Sequence, residues 1–224
     1  MNPRFIRAEF HCHTCYSPDS LMSLKALLLT CRRKGIDKVA VTDHNRLEGA
    51  LQAQAMAPDE IVVGEEIQTT EGEILAYYLT EEIPAGLEPM EVVRRLREQN
   101  AFISVAHPFD PYRGSAWNIS TLAALAPHLD AIEVFNARCL KPEFNQAARA
   151  FAREHNLPEM TGSDAHSTLE LGRALLRMPD FSSADSLREA LRESRQMTRI
   201  SGSSVHLIST WAKLVKSAGI RKQN

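Results

Sequence analysis

LKALLLTCRRKGIDKVAVTDH, residues 24–44, sets the fold class. Leu24–Lys34 carries apolar residues at helical spacing, and Gly35 follows as a natural C-cap. Lys38–Thr42 is a short β-branched run of the kind buried inside a sheet, and it ends on Asp43–His44. A helix thus feeds a strand that delivers two polar, ligand-type residues at its C-terminal end. The same unit recurs outward in both directions. Further strands are expected at Ala8–His11, Ile61–Ile67, Ile74–Leu79, Phe102–Ala106, Ala131–Phe135 and Glu159–Gly162. Helices are expected at Glu48–Met56, Pro89–Gln99, Ile119–Leu125, Phe144–His155 and Ala184–Ser194. Alternation of this kind predicts an α/β fold with mainly parallel strands. Only a turn, Thr69–Gly72, separates the third and fourth strands, so those two should form a hairpin and make any barrel irregular.

No linker or repeat divides the 224 residues, and 44% hydrophobic composition is enough for one sizeable core. We read residues 1–224 as one domain, with its motifs within 8–170 and with 171–224 as helical completion and a basic tail that frays from Lys213. The formal charge of -2 argues against a protein that coats long nucleic acid. No apolar run suits a signal peptide or membrane span, so a cytoplasmic location is expected. Cys12 and Cys15 sit among histidines, but no second C-x-x-C or H-x-x-x-H completes a structural zinc tetrahedron.

Five of the eight histidines fall at strand ends. His11 and His13 end the first strand, His44 follows the second, His107 follows the fifth, and Asp164–Ala165–His166 follows the seventh. Glu65–Glu66 lies near the end of the third strand, and Glu133 is on the sixth. In parallel barrels these ends open onto one face, where such folds place their chemistry. Residues i and i+2 of a strand point the same way, so His11 with His13, and Asp164 with His166, can converge on ions. Imidazole combined with carboxylate suits Zn, Mn or Fe. His128, His155 and His206 lack this placement and read as surface residues.

The ordered set His11-Cys12-His13, Ser17-Pro18-Asp19-Ser20, Thr42-Asp43-His44, Gly64-Glu65-Glu66-Ile67, Ala106-His107-Pro108 and Gly162-Ser163-Asp164-Ala165-His166 resembles the PHP (polymerase and histidinol phosphatase) superfamily. The resemblance implies a distorted (β/α)7 TIM-like barrel and a metal-dependent phosphoesterase with two or three divalent ions (Mn, Fe or Zn). It implies that His11, His13, Glu66 and Asp164 hold one ion, that Glu66 bridges to a second bound by His107, and that Asp19, His44 and His166 hold a third. Of the two adjacent acids, the family's spacing selects Glu66. Where small members carry a histidine opening the fourth strand, this chain has Glu73, either a substitute carboxylate ligand or a solvated acid beside a weakened second site. The expected reaction is hydrolysis of a small phosphate monoester, nucleotide or histidinol-phosphate-like, by metal-activated hydroxide. Its catalytic groups would be His11, His13, Glu66, His107, Asp164 and His166. Arg113 and Arg138 are candidates for the substrate phosphate, whose oxygens match a guanidinium fork. Asp43 is expected to orient a histidine, and Glu133 and Asn136 to support ligands or touch substrate. Rival readings are an exonuclease or phosphodiesterase on short nucleic acids, an amidohydrolase, and a non-catalytic module. The second lacks a lysine placed to bridge metals, and the third would have shed ligands that are nearly all present. The short gap between His107 and Glu133 leaves room only for a small lid.

Overall fold

The computed structural model describes residues 4–113, 117–202 and 204–219; the ends of the predicted domain and tail, residues 1–3 and 220–224, lie outside them. In chain order the elements are β1 (Phe5–Glu9), α1 (Leu24–Lys34), β2 (Lys38–Val41), α2 (Glu48–Met56), β3 (Ile61–Gln68), β4 (Glu73–Tyr77), α3 (Pro89–Glu98), β5 (Phe102–Val105), α4 (Ile119–Leu125), β6 (Ile132–Asn136), α5 (Pro142–Glu154), β7 (Glu159–Gly162), β8 (Ala174–Pro179), α6 (Ala184–Leu191), β9 (Arg195–Thr198) and α7 (Val205–Ser217). No described helix is long and apolar enough to cross a membrane.

Helix α1 shows how the sequence specifies its ends. Ser23 caps it by accepting from the Ala26 N–H, and Gly35 stops it at φ +63° while donating back to Arg32 and Cys31. Its buried stripe, Leu24, Leu27, Leu28 and Cys31, packs on the sheet. Each buried leucine there contributes about 1.5–3 kcal/mol.

Seven strands form one curled sheet in the order β5-β4-β3-β2-β1-β8-β9, and β6 pairs with β7 beside it. Two seams close the barrel. Asp130 and Ala131 N–H groups donate to the Ile103 carbonyl, joining β5 to β6. Beyond β7, Ala165 exchanges backbone bonds with His11 and His13, joining it to the upper end of β1. The lower part of β1 pairs instead with β8, antiparallel. The distorted barrel is therefore mixed rather than mainly parallel. β4 runs antiparallel to both β3 and β5, because a turn as short as Thr69–Gly72 cannot make the crossover that parallel strands need. Residues 174–179 and 195–198, which the sequence suggested were part of a helical completion, are strands.

Two cores result. One fills the barrel with Phe10, Val62, Leu75, Tyr77, Phe102 and Met160, and α6 plugs the end opposite the ligand-type residues through Leu187 and Leu191. Arg188 fixes that plug by donating to the Ala101 carbonyl and to Asp130. The other core lies between the strands and helices α1 to α5.

Candidate metal centre

Each predicted ligand sits where its strand delivers it. Beyond β1, His11 and His13 turn into the barrel mouth while Cys12 packs outward in the helix–strand core. Along β3, alternation sends Glu66 into the mouth and Glu65 to the opposite side, where its carboxylate accepts from Ile83 N–H. Because β4 is antiparallel, its first residue, Glu73, lies at the same end as the last residues of β3 and β5. His107 and Asp164 have φ of +25° and +51°, a backbone region costly for side-chain-bearing residues and found disproportionately at functional sites.

The convergence is tight. His11 Nε2 and His107 Nε2 each lie 3.2 Å from Glu66 Oε1, and His13 Nε2 lies 3.3 Å from both Glu66 Oε2 and Asp164 Oδ1. Glu73 comes within 3.5 Å of His107 Nε2 and 3.6 Å of His44 Nδ1. Asp19 Oδ2 is 3.3 Å from His166 Nε2 and 3.5 Å from His44 Nε2. Among the described residues three groups of potential donor atoms emerge: His11, His13 and Glu66; His44, Glu66 and Glu73; and His13, His44 and His166.

The hydrogen bonds behind these residues prepare them to bind cations. Ser17 Oγ gives its single proton to Asp43 and therefore accepts from His13 Nδ1. That leaves the lone pair of His13 on Nε2. Glu133 Oε1 lies 3.0 Å from His11 Nδ1 and can only accept there, which leaves the His11 lone pair on Nε2 as well. Both Nε2 atoms are buried without a hydrogen-bond partner among the described residues, as are Asp19 Oδ1 and Glu66 Oε2. Buried polar atoms rarely go unpaired. Several of them aimed at one space, with mixed nitrogen and carboxylate donors, fit divalent ions.

Electrostatics agree. Burial pushes the His13 imidazole down, and the neighbouring His166 and His44 push it further, to about 3, so it is neutral. Burial opposes ionisation of Asp164, but Arg113 and His11 hold its carboxyl well below the usual range. Burial likewise pushes Glu73 up, reinforced by the negative charge of Glu66.

Asp43 takes bonds from Thr14 N–H, Thr14 Oγ1 and Ser17, so it orients His13 through Ser17. Glu133 supports His11, the His107 N–H and the Asn136 amide. Gly162 permits this arrangement, since a Cβ there would lie 2.1 Å from Glu133 Oε1 and 2.4 Å from His11 Cβ. The two arginines differ. Arg113 has 17% of its side chain exposed and reaches Asp164 Oδ2 at 2.5 Å. Arg138 is buried, with its guanidinium against Glu170, His166 Nδ1 and Ser209 Oγ.

Three features escaped the sequence reading. Glu170 holds Arg138 and accepts from the His166 N–H. Glu9, pushed up to about 7 by burial, ties Ser163 and Gly172 to β1. Residues 205–217, expected to include the start of a fraying tail, form α7, which crosses the mouth. Lys216 donates to the Cys15 and Ser17 carbonyls, and Lys213 Nζ lies 3.5 Å from Asp19. His206, expected on the surface, is half-buried on this helix. A helical repeat of Val205, Ile208, Ala212 and Val215 was the available signal for α7.

The PHP domain family model matches residues 9–74, and the PHP-associated model matches residues 142–195. The uncharacterized protein MJ1587 of Methanocaldococcus jannaschii is 36% identical over 146 residues, covering 59% of this chain and 82% of that protein. MJ0417 of the same organism is 34% identical over 179 residues, 79% of this chain and 72% of its own length. A Bifidobacterium adolescentis structure provisionally described as a metal-dependent phosphoesterase superposes with a TM-score of 0.63 at 18% identity. That match covers 83% of this chain and 96% of the other, and it shows a shared fold.

Proposed function

Since this chain belongs to the PHP domain family, we propose that it is a metal-dependent phosphoesterase acting on a small phosphate monoester, nucleotide or histidinol-phosphate-like. The observation that carries the reading is the set of buried, unpartnered donor atoms at the barrel mouth. In this reading His11, His13, Glu66 and Asp164 hold one ion, Glu66 with Glu73 and His107 a second, and Asp19, His44 and His166 a third. The donor set suits Mn, Fe or Zn. Bound divalent ions lower the pKa of water and draw charge from phosphoryl oxygens. The chain's own part is to fix the donor atoms, exclude bulk water and neutralise the substrate. Four carboxylates, Asp19, Glu66, Glu73 and Asp164, offset only part of the charge of three divalent ions, which leaves room for a dianionic phosphate.

Arg113 is the better placed of the two arginines to meet that phosphate, being partly exposed beside Asp164. Arg138 instead holds His166 and α7 in place. Arg113→Ala should therefore raise KM by roughly tenfold, the worth of one charged hydrogen bond, with bound metal unchanged. A loss of metal in that variant would assign Arg113 to the metal cluster's scaffold.

Glu73 gives a second test. A carboxylate at this position favours harder ions, so Glu73→His should shift bound metal from Mn or Fe toward Zn when the protein is loaded from an equimolar mixture. An unchanged metal profile would make Glu73 a bystander. Screening the metal-loaded protein on phosphomonoesters, dinucleotides and cyclic phosphates tests the reaction itself. Monoester turnover is expected, and exclusive diester turnover would replace this reading with the exonuclease one.

A further inference from the structure

The sum of -2 conceals where the charges lie. Among the described residues ten acidic side chains are buried and only one basic side chain, Arg138. The described residues hold 28 acids and 24 bases, so those left unburied, 18 acids and 23 bases, are net positive. Part of that charge lies on one face of the sheet. Register places Arg7 directly opposite Arg177 across β1 and β8, and Arg177 directly opposite Arg195 across β8 and β9. Opposed residues share a face, so the three arginines form a row across three adjacent strands, which lie about 4.8 Å apart. Arg33, Arg173 and Arg199 extend the patch. Arg33 and Arg173 lie close enough to Lys34 that, after burial, their charge lowers its pKa. Among the described residues none of these six arginines forms an ion pair. Like charges directly opposed in a sheet are destabilising, so the row is unfavourable for the isolated chain.

We propose that this face of β1, β8 and β9 binds the phosphate backbone of a single-stranded nucleic acid. Three observations favour that occupant over an acidic protein or a membrane. The cations are arginines, whose planar forks match phosphate oxygens. Phe5 is 37% exposed on the same face, with the Arg177 guanidinium 4.8 Å from its ring centroid, which makes a stacking platform for a base. Arg173 and Arg199, joined by the Arg199 N–H bond to the Arg173 carbonyl, also lengthen the cationic track along β8 and β9. The strand-binding face stands independently of the hydrolytic reading and widens it from small esters toward polymer ends.

The test is fluorescence anisotropy of the full, metal-loaded chain with a nuclease-resistant labelled strand of about 20 nucleotides, titrated from about 50 mM salt upward. The wild type should bind at low salt, with log affinity falling linearly against log salt. Arg177→Gln/Arg195→Gln should weaken binding at least about tenfold and reduce the slope by about 1.4, the share of two phosphate contacts to a single strand. Its melting temperature and its turnover of a small phosphomonoester should match the wild type. Arg177→Glu/Arg195→Glu should abolish binding. No binding at low salt, equal affinity and slope in the Gln variant, or binding to phosphatidylserine vesicles without binding to the strand would each overturn the proposal. Loss of small-ester turnover in the wild type would refute the hydrolytic reading and leave this one standing.

Discussion

Replacing His13 by Ala is expected to abolish phosphomonoester hydrolysis and to strip bound metal while the barrel stays folded. The imidazole belongs to two of the three donor groups, and its Nε2 faces both Glu66 and Asp164. Among the described residues its one structural side-chain bond is to Ser17 Oγ, whereas the seam bond to Ala165 uses the His13 backbone N–H and survives the substitution. Metal activation contributes several kcal/mol to such a reaction, so kcat/KM should fall by about a thousandfold or more. Metal analysis and thermal denaturation separate the effects: metal and activity lost together, with the melting temperature little changed. Activity retained in this variant would remove His13 from the site.

Glu133→Ala should have the next largest effect, although Glu133 is expected to touch no ion. One carboxylate holds His11 Nδ1, the backbone N–H of His107 and the Asn136 amide. Without it His11 can rotate or change tautomer, and the His107 N–H, in a strained backbone, is left buried and unpaired. Loss of such a partner behind a ligand typically costs about 10–100-fold in metal affinity. The unpaired donor costs about 1–3 kcal/mol more in stability. Competition with a chelator reads the first quantity and denaturant titration the second. A stability loss alone, with chelator competition unchanged, would mean that Glu133 holds the fold and not the ligand.

The convergence of strand-end side chains was legible because period-2 alternation fixes which of them share a face, as for His11 with His13 and Glu66 against Glu65. Glu73 was left with two readings although the hairpin was expected, because an acid that opens an apolar strand can be solvated as well as turned inward. Once the hairpin makes β4 antiparallel, its first residue joins the mouth. Arg138 was read as a candidate for the substrate phosphate, and its burial was not legible because it depends on Glu170 and Ser209, which come from distant segments with no local signal. The end of α7 was assigned from Lys213 to a tail judged by its basic composition, although Lys216 anchors it to two carbonyls on the loop after β1. Where the charges lie was not legible at all, since composition counts buried acids and exposed bases alike.

The most direct test is metal analysis of the purified protein, coupled to phosphomonoester hydrolysis through chelation and re-addition of Mn, Fe or Zn. The account predicts about two to three divalent ions per chain, in line with the three donor groups. It also predicts hydrolysis that stops on chelation and returns with the metal. Less than one ion per chain, or turnover that persists after the metal is removed, would contradict it.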